Sequence, residues 1–110
     1  MSEFMLLFRQ PSYDTSQLSP SEFEALAKRW QTWVGGLVDQ GVVSTGARLA
    51  TEGKVVRADG LVTDGPFVEL KERLGSYMIV KANSLEEAAA LAHGCPALDA
   101  QGSVEIRRML

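Results

Sequence analysis

Cysteine is almost absent: Cys95 stands alone among 110 residues, so no disulfide within the chain can form. A lone thiol suits a reducing compartment, and a cytoplasmic location is the expectation. Long apolar runs are missing too. Phe4-Met5-Leu6-Leu7-Phe8 is too short for the core of a secretory signal or for a membrane span, and no basic region precedes it. Positive charge is scarce. Eleven Lys and Arg face fourteen Asp and Glu, for a formal charge of -3, and no basic stripe interleaves with aromatics. That excludes binding to nucleic acid through clustered phosphate contacts. With one histidine and one cysteine, no metal cluster, phosphate loop or catalytic triad can be read, and no metal or cofactor is expected.

The length fits a single domain over residues 1–110, with 45% hydrophobic residues to build a core. Phe4 to Phe8 reads as a strand buried on both faces. Ser19-Pro20-Ser21-Glu22 is a helix start, with Ser19 as cap, Pro20 in the first turn and Glu22 completing a capping box. Phe23, Leu26, Ala27, Trp30, Val34, Leu37 and Val38 then share one helical face, and Gly41 ends the helix. Gly35-Gly36 within it predicts the close approach of another backbone. Trp33 falls off the stripe's centre, at a sheet edge or a pocket mouth. Val42 to Ala50 is a strand. Asp59-Gly60 predicts a type I′ turn between Val55-Val56-Arg57 and Leu61-Val62-Thr63. Gly75 to Ala82 is a further strand. Ser84 to Glu87 forms a second capping box for a helix ending near His93 and Gly94, and Ser103 to Met109 is the last strand.

The order is β-α-β-(hairpin)-β-α-β, an α+β, ferredoxin-like pattern with an extra β-hairpin. Two strands are apolar on both faces, while two helices cover only one face of the sheet. Packing two sheets together across a two-fold axis would cover the other, so a homodimer is expected.

Candidate chemistry gathers in Thr63-Asp64-Gly65-Pro66-Phe67 and the charged run behind it. Asp64 is read first as a turn carboxylate capping its own backbone. Its alternative is a catalytic acid or base in a cleft between the sheets. Glu69 and Lys71 lie on one side of an extended segment, either solvated or pointing into that cleft, where Lys71 or Arg48 could bind an anion. Phe67 either pins this segment to the core or lines the site. Tyr13, after the first strand, lines a pocket mouth or is merely exposed. His93 suits a helix end. Cys95 reads as a small buried hydrophobe, and Trp30 as core.

The stretch Val62-Thr63-Asp64-Gly65-Pro66-Phe67, with Glu69-Leu70-Lys71-Glu72-Arg73-Leu74-Gly75, the Leu18-Ser19-Pro20-Ser21-Glu22 helix start and Cys95-Pro96-Ala97, resembles the YCII-related (DGPF) family of small bacterial proteins. The resemblance spans nearly the whole chain. It implies the dimeric α/β-barrel fold, and a link to alternative sigma factors, near which relatives are often encoded. The broader family's proposed site pairs a histidine of the first helix with an aspartate, and one branch eliminates halide from a chlorinated ring-cleavage product. This chain departs from that pattern: the helix positions near the expected histidine hold Arg29, Trp30 and Trp33, and its sole histidine, His93, lies on the other helix. Three readings follow: a small-molecule-binding or regulatory dimer taking an anionic or aromatic ligand, a lyase- or isomerase-type enzyme using Asp64, and a sigma-factor partner.

Overall fold

The computed structural model describes residues 1–11, 18–50, 52–65 and 73–110, with the backbone alone for Asp64 and Gly65. The elements are β1 (Ser2–Gln10), α1 (Pro20–Asp39), β2 (Val43–Arg48), β3 (Gly53–Val56), β4 (Val62–Gly65), β5 (Arg73–Ala82), α2 (Leu85–Leu91), α3 (Pro96–Asp99) and β6 (Ser103–Arg108). Four strands form one antiparallel sheet in the order β2-β5-β1-β6. This is the ferredoxin-like βαββαβ arrangement, the protomer fold of dimeric α/β barrels. The hairpin β3-β4 is an added arm, a two-stranded sheet of its own.

Strand alternation decides which side chains make the core. Phe4, Leu6 and Phe8 of β1 and Met78, Val80 and Ala82 of β5 point toward the helices and are buried. Leu37 of α1, Ala88 of α2, Cys95 and Ala97 close over them, with Val104 and Ile106 of β6 packed alongside. β1 and β5 are the central strands, as their apolar character requires. Burial of β1 on both faces does not hold in this chain. Met5, Leu7 and Arg9 line the opposite, open face and are only partly buried.

The caps explain where the helices begin. Ser19 Oγ accepts from the Glu22 N–H at 3.2 Å, while the Glu22 carboxylate accepts from the Ser19 N–H at 3.1 Å, a complete capping box. That backbone donor and then the Ser19 side chain hold the Glu22 carboxyl below its usual range. In α2 the box is half formed. Ser84 Oγ accepts from the Glu87 N–H, but Glu87 reaches past Ser84 to the Asn83 N–H at 3.3 Å. Pro96 does more than stop α2: it opens the short α3, which the sequence reading missed.

Three local expectations fail for physical reasons. Phe23 and Val38 are 48% and 55% exposed, and of the α1 stripe Leu37 is the residue that is fully buried. The arm's turn is not type I′, which needs positive φ at two residues. Gly60 alone has it (φ 85°), and its N–H donates to the Arg57 carbonyl at 2.9 Å. Gly35-Gly36 admits no close backbone, since an added Cβ at either would meet nothing within 4 Å. Gly36→Ala should therefore raise stability by about 1 kcal/mol, seen as a rise of roughly 4–8 °C in Tm by scanning calorimetry. A fall in Tm would show that the glycine serves a contact outside the protomer.

Candidate functional site

The helix-side face of the sheet changes character where β1 ends and β5 begins. Phe8 is the last apolar rung, its Cα partner on β5 is Ser76, and Ser76 in turn faces Arg48 of β2. Cross-strand partners share a face, so Arg48 and Ser76 look toward the helices with Phe8. A bulge follows. Phe8 pairs with Ser76 but Arg9 pairs with Leu74, leaving Gly75 as the extra residue. The final rung is Gln10 with Arg73. Because of the bulge Arg73 falls on the helix side, while Leu74 turns to the open face.

Gln10 is the buried polar residue among those described, at 9% exposure. Arg73 is partly buried, and its Nε is buried with no hydrogen-bond partner. Arg48 is exposed at the edge strand. Above this floor Phe8, Trp30 and Trp33 form a closed trio of edge-to-face contacts. Centroid distances are 5.7 Å for Phe8–Trp30, 5.6 Å for Phe8–Trp33 and 5.9 Å for Trp30–Trp33. Trp33 also walls a groove of about 650 Å³ with Lys28, Thr32 and Gly94, and its Nε1 is buried without a partner. Arg29, beside that groove, is tied to Asp99 of α3 by a salt bridge. Trp30 and Trp33 thus join the core to the sheet end, combining the two roles read from sequence.

The other face of the sheet is built differently. Tyr77, Leu7 and Glu105 make one rung, and Ile79, Met5 and Arg107 the next. Ala47 and Thr45 of β2 extend these two rows. The apolar centre is bordered by a charged network. Arg9 Nη1 donates to Glu105 Oε1 at 2.8 Å, and Arg107 Nη1 to Glu105 Oε2 at 3.2 Å.

The residues singled out from sequence are distributed as follows. Arg48 is on the helix side of the main sheet. The Asp64 backbone lies in β4, opposite Lys54 in the arm and outside the main sheet. Tyr13, Phe67, Glu69 and Lys71 lie outside the described residues. His93 is exposed in the turn after α2. Cys95 is 1% exposed, and its thiol is pushed up to about 11, first by burial, which suits a packing residue and not a nucleophile. Gln10 and Arg73 were missed. Arg73 was hidden in a charged run, but a glycine two residues into a strand signals a bulge, and a bulge resets which side chains face inward.

Among the described residues no group of three His, Cys, Asp or Glu could hold a metal ion, and no helix is long and apolar enough to cross a membrane. Among curated proteins no sequence matches this chain. Among solved structures, it is similar to a 5-chloro-2-hydroxyhydroquinone dehydrochlorinase from Burkholderia phenoliruptrix AC1100, in complex with 2,5-dihydroxybenzoquinone. The TM-score is 0.52 at 16% identity, over 97% of this chain and 93% of that one. At that identity the likeness shows the fold. The family model for the YCII-related domain matches residues 8–110, and the chain belongs to that family.

Proposed function

We propose that this protein is a cytoplasmic homodimer whose protomers each bind a small molecule at the helix-side end of the sheet. The observation that carries the binding site is that Gln10, Ser76, Arg48 and Arg73 share the helix-side face at this sheet end with Phe8, whose ring meets both tryptophans. A few polar groups aimed at an aromatic wall are the usual make-up of a small-molecule site. The segments carrying Tyr13 and carrying Phe67, Glu69 and Lys71 leave the sheet at Gln10 and rejoin it at Arg73. These four residues are proposed ligand contacts on that connectivity.

The dimer rests on the open face. Its Met5, Leu7, Tyr77 and Ile79 form a contiguous apolar strip, and a two-fold axis lets the strip cover itself. The bordering Arg9, Glu105 and Arg107 supply both signs of charge for the rim. A second reading, an enzyme using Asp64 as acid or base, is favoured by one observation: the similar fold of the dehydrochlorinase, solved in complex with 2,5-dihydroxybenzoquinone. Asp64→Asn would then abolish turnover of a ring substrate and leave the melting temperature unchanged.

Native mass spectrometry tests the main reading. Wild-type protein should appear as a dimer carrying a non-covalent small-molecule mass that collisional activation removes, and Leu7→Glu as a monomer. A wild type that is monomeric at micromolar concentration would sink the dimer. A protein that neither retains a ligand nor gains one from a panel of ring acids and quinols would sink the binding function.

A further inference from the structure

The Arg73 guanidinium is the one cationic group whose buried donor has no acceptor among the described residues. Buried donors are nearly always satisfied, and leaving a charged one unpaired is costly. Lys and Arg elsewhere are mostly exposed or paired, as Arg9 and Arg29 are. Position sharpens the point. Arg73 shares the terminal rung with the buried Gln10, and Arg48 lies one strand over on the same face, on the rung of Ser76 and Phe8. Standard strand spacing puts the Arg48 and Arg73 Cα atoms roughly 11 Å apart, near enough for both side chains to reach one ligand.

We infer that Arg73 is the anion anchor of this site and that its ligand is a small monocarboxylic acid with a planar apolar body. This rests on the binding reading above and gives it a substrate class. The planar guanidinium presents a fork of paired N–H donors that match the two oxygens of a carboxylate. Gln10 offers a neutral amide on the same rung, Arg48 adds positive potential at the mouth, and the Phe8–Trp30–Trp33 cluster makes the apolar wall. A single charge is favoured over a phosphate dianion because the Arg73 donor is buried, and stripping water from two charges costs more than from one. The protein's own charge of -3 works in the same direction.

The test uses the two tryptophans, both in the wall, as reporters. The full chain is titrated with benzoate, benzamide, hydroquinone and inorganic phosphate while tryptophan fluorescence is followed. Benzoate should give a saturable change that benzamide does not. Arg73→Gln should weaken benzoate binding by about tenfold or more, the size of one lost charge-assisted pair. Arg73→Lys, which keeps the charge without the fork, should fall between, and it replaces Arg73→Gln if circular dichroism shows that variant unfolded. Benzamide binding as tightly as benzoate, or benzoate binding unchanged in the folded Arg73 variant, would overturn the anchor. Phosphate binding tighter than benzoate would overturn the carboxylate assignment. A protein silent to benzoate but responsive to hydroquinone loses the anchor and keeps the site, whereas one silent to every probe loses both.

Discussion

Phe8→Ala is expected to lower the unfolding free energy by about 3–5 kcal/mol, a large share of the roughly 5–15 kcal/mol that holds a domain together. Phe8 is 2% exposed and sits at the crossing of three packing relations. It is a β1 side chain on the rung of Ser76 and Val104, and it takes an edge contact from each tryptophan of α1. Truncation removes the transfer free energy of the ring and leaves a cavity that two indoles cannot readily fill, since each is also held by the other. Urea unfolding followed by circular dichroism gives the value. The matched control is Phe23→Ala, at a position 48% exposed, where a loss below about 1 kcal/mol is expected. A Phe8→Ala loss no larger than that of the control would mean that the aromatic trio is not a stabilising unit.

Gly102→Ala is the second severe change, and it acts through backbone atoms, which cannot move aside as side chains do. A Cβ at Gly102 would collide with the Arg9 carbonyl oxygen, approach the Ala97 carbonyl oxygen to 2.7 Å and meet Gln10 Cγ at 2.9 Å. The glycine N–H donates to that same Ala97 carbonyl at 2.8 Å, so the turn from α3 into β6 closes directly on the end of β1. The preceding Gln101 already holds a left-handed φ of 61°, which leaves the turn little freedom to relax. A loss of about 3 kcal/mol or more is expected. Because the clash displaces Gln10, any variant that still folds should also bind the benzoate probe more weakly. Unchanged stability would show that the turn can open, and that the sheet end is looser than the contacts at Gly102 imply.

Most of the architecture was legible because it rests on period and punctuation. Ser19-Pro20-Ser21-Glu22 starts a helix by satisfying backbone donors locally, and Gly41 ends it at φ 73°. The doubly apolar β1 and β5 could only be central strands. Tertiary circumstances were not legible. Gly35-Gly36 reads as an approach site when considered alone, yet an added Cβ at either meets no described atom within 4 Å. Of the candidate site residues, Tyr13, Phe67, Glu69 and Lys71 lie outside the described residues. Arg48 is on the helix-side face, at the edge of the sheet. Arg73 could not be placed from alternation counted back from Tyr77, because the extra residue Gly75 reverses the parity. The meeting of Gln10 and Arg73 spans more than half the chain, and a local pattern cannot announce it.

The sheet's strand order also governs how the protein comes off the ribosome. β1 is made first, but its two hydrogen-bonding neighbours, β5 and β6, begin only at Arg73 and Ser103. Until then the Phe4–Phe8 segment waits with both edges unpaired, and α1 is the one core element already made that can cover its apolar side chains. The arm β3-β4, whose pairing is entirely local, can close meanwhile without helping it. The nascent chain is at its most aggregation-prone in that interval, and the pairing of β1 between β5 and β6 is a late, whole-chain event.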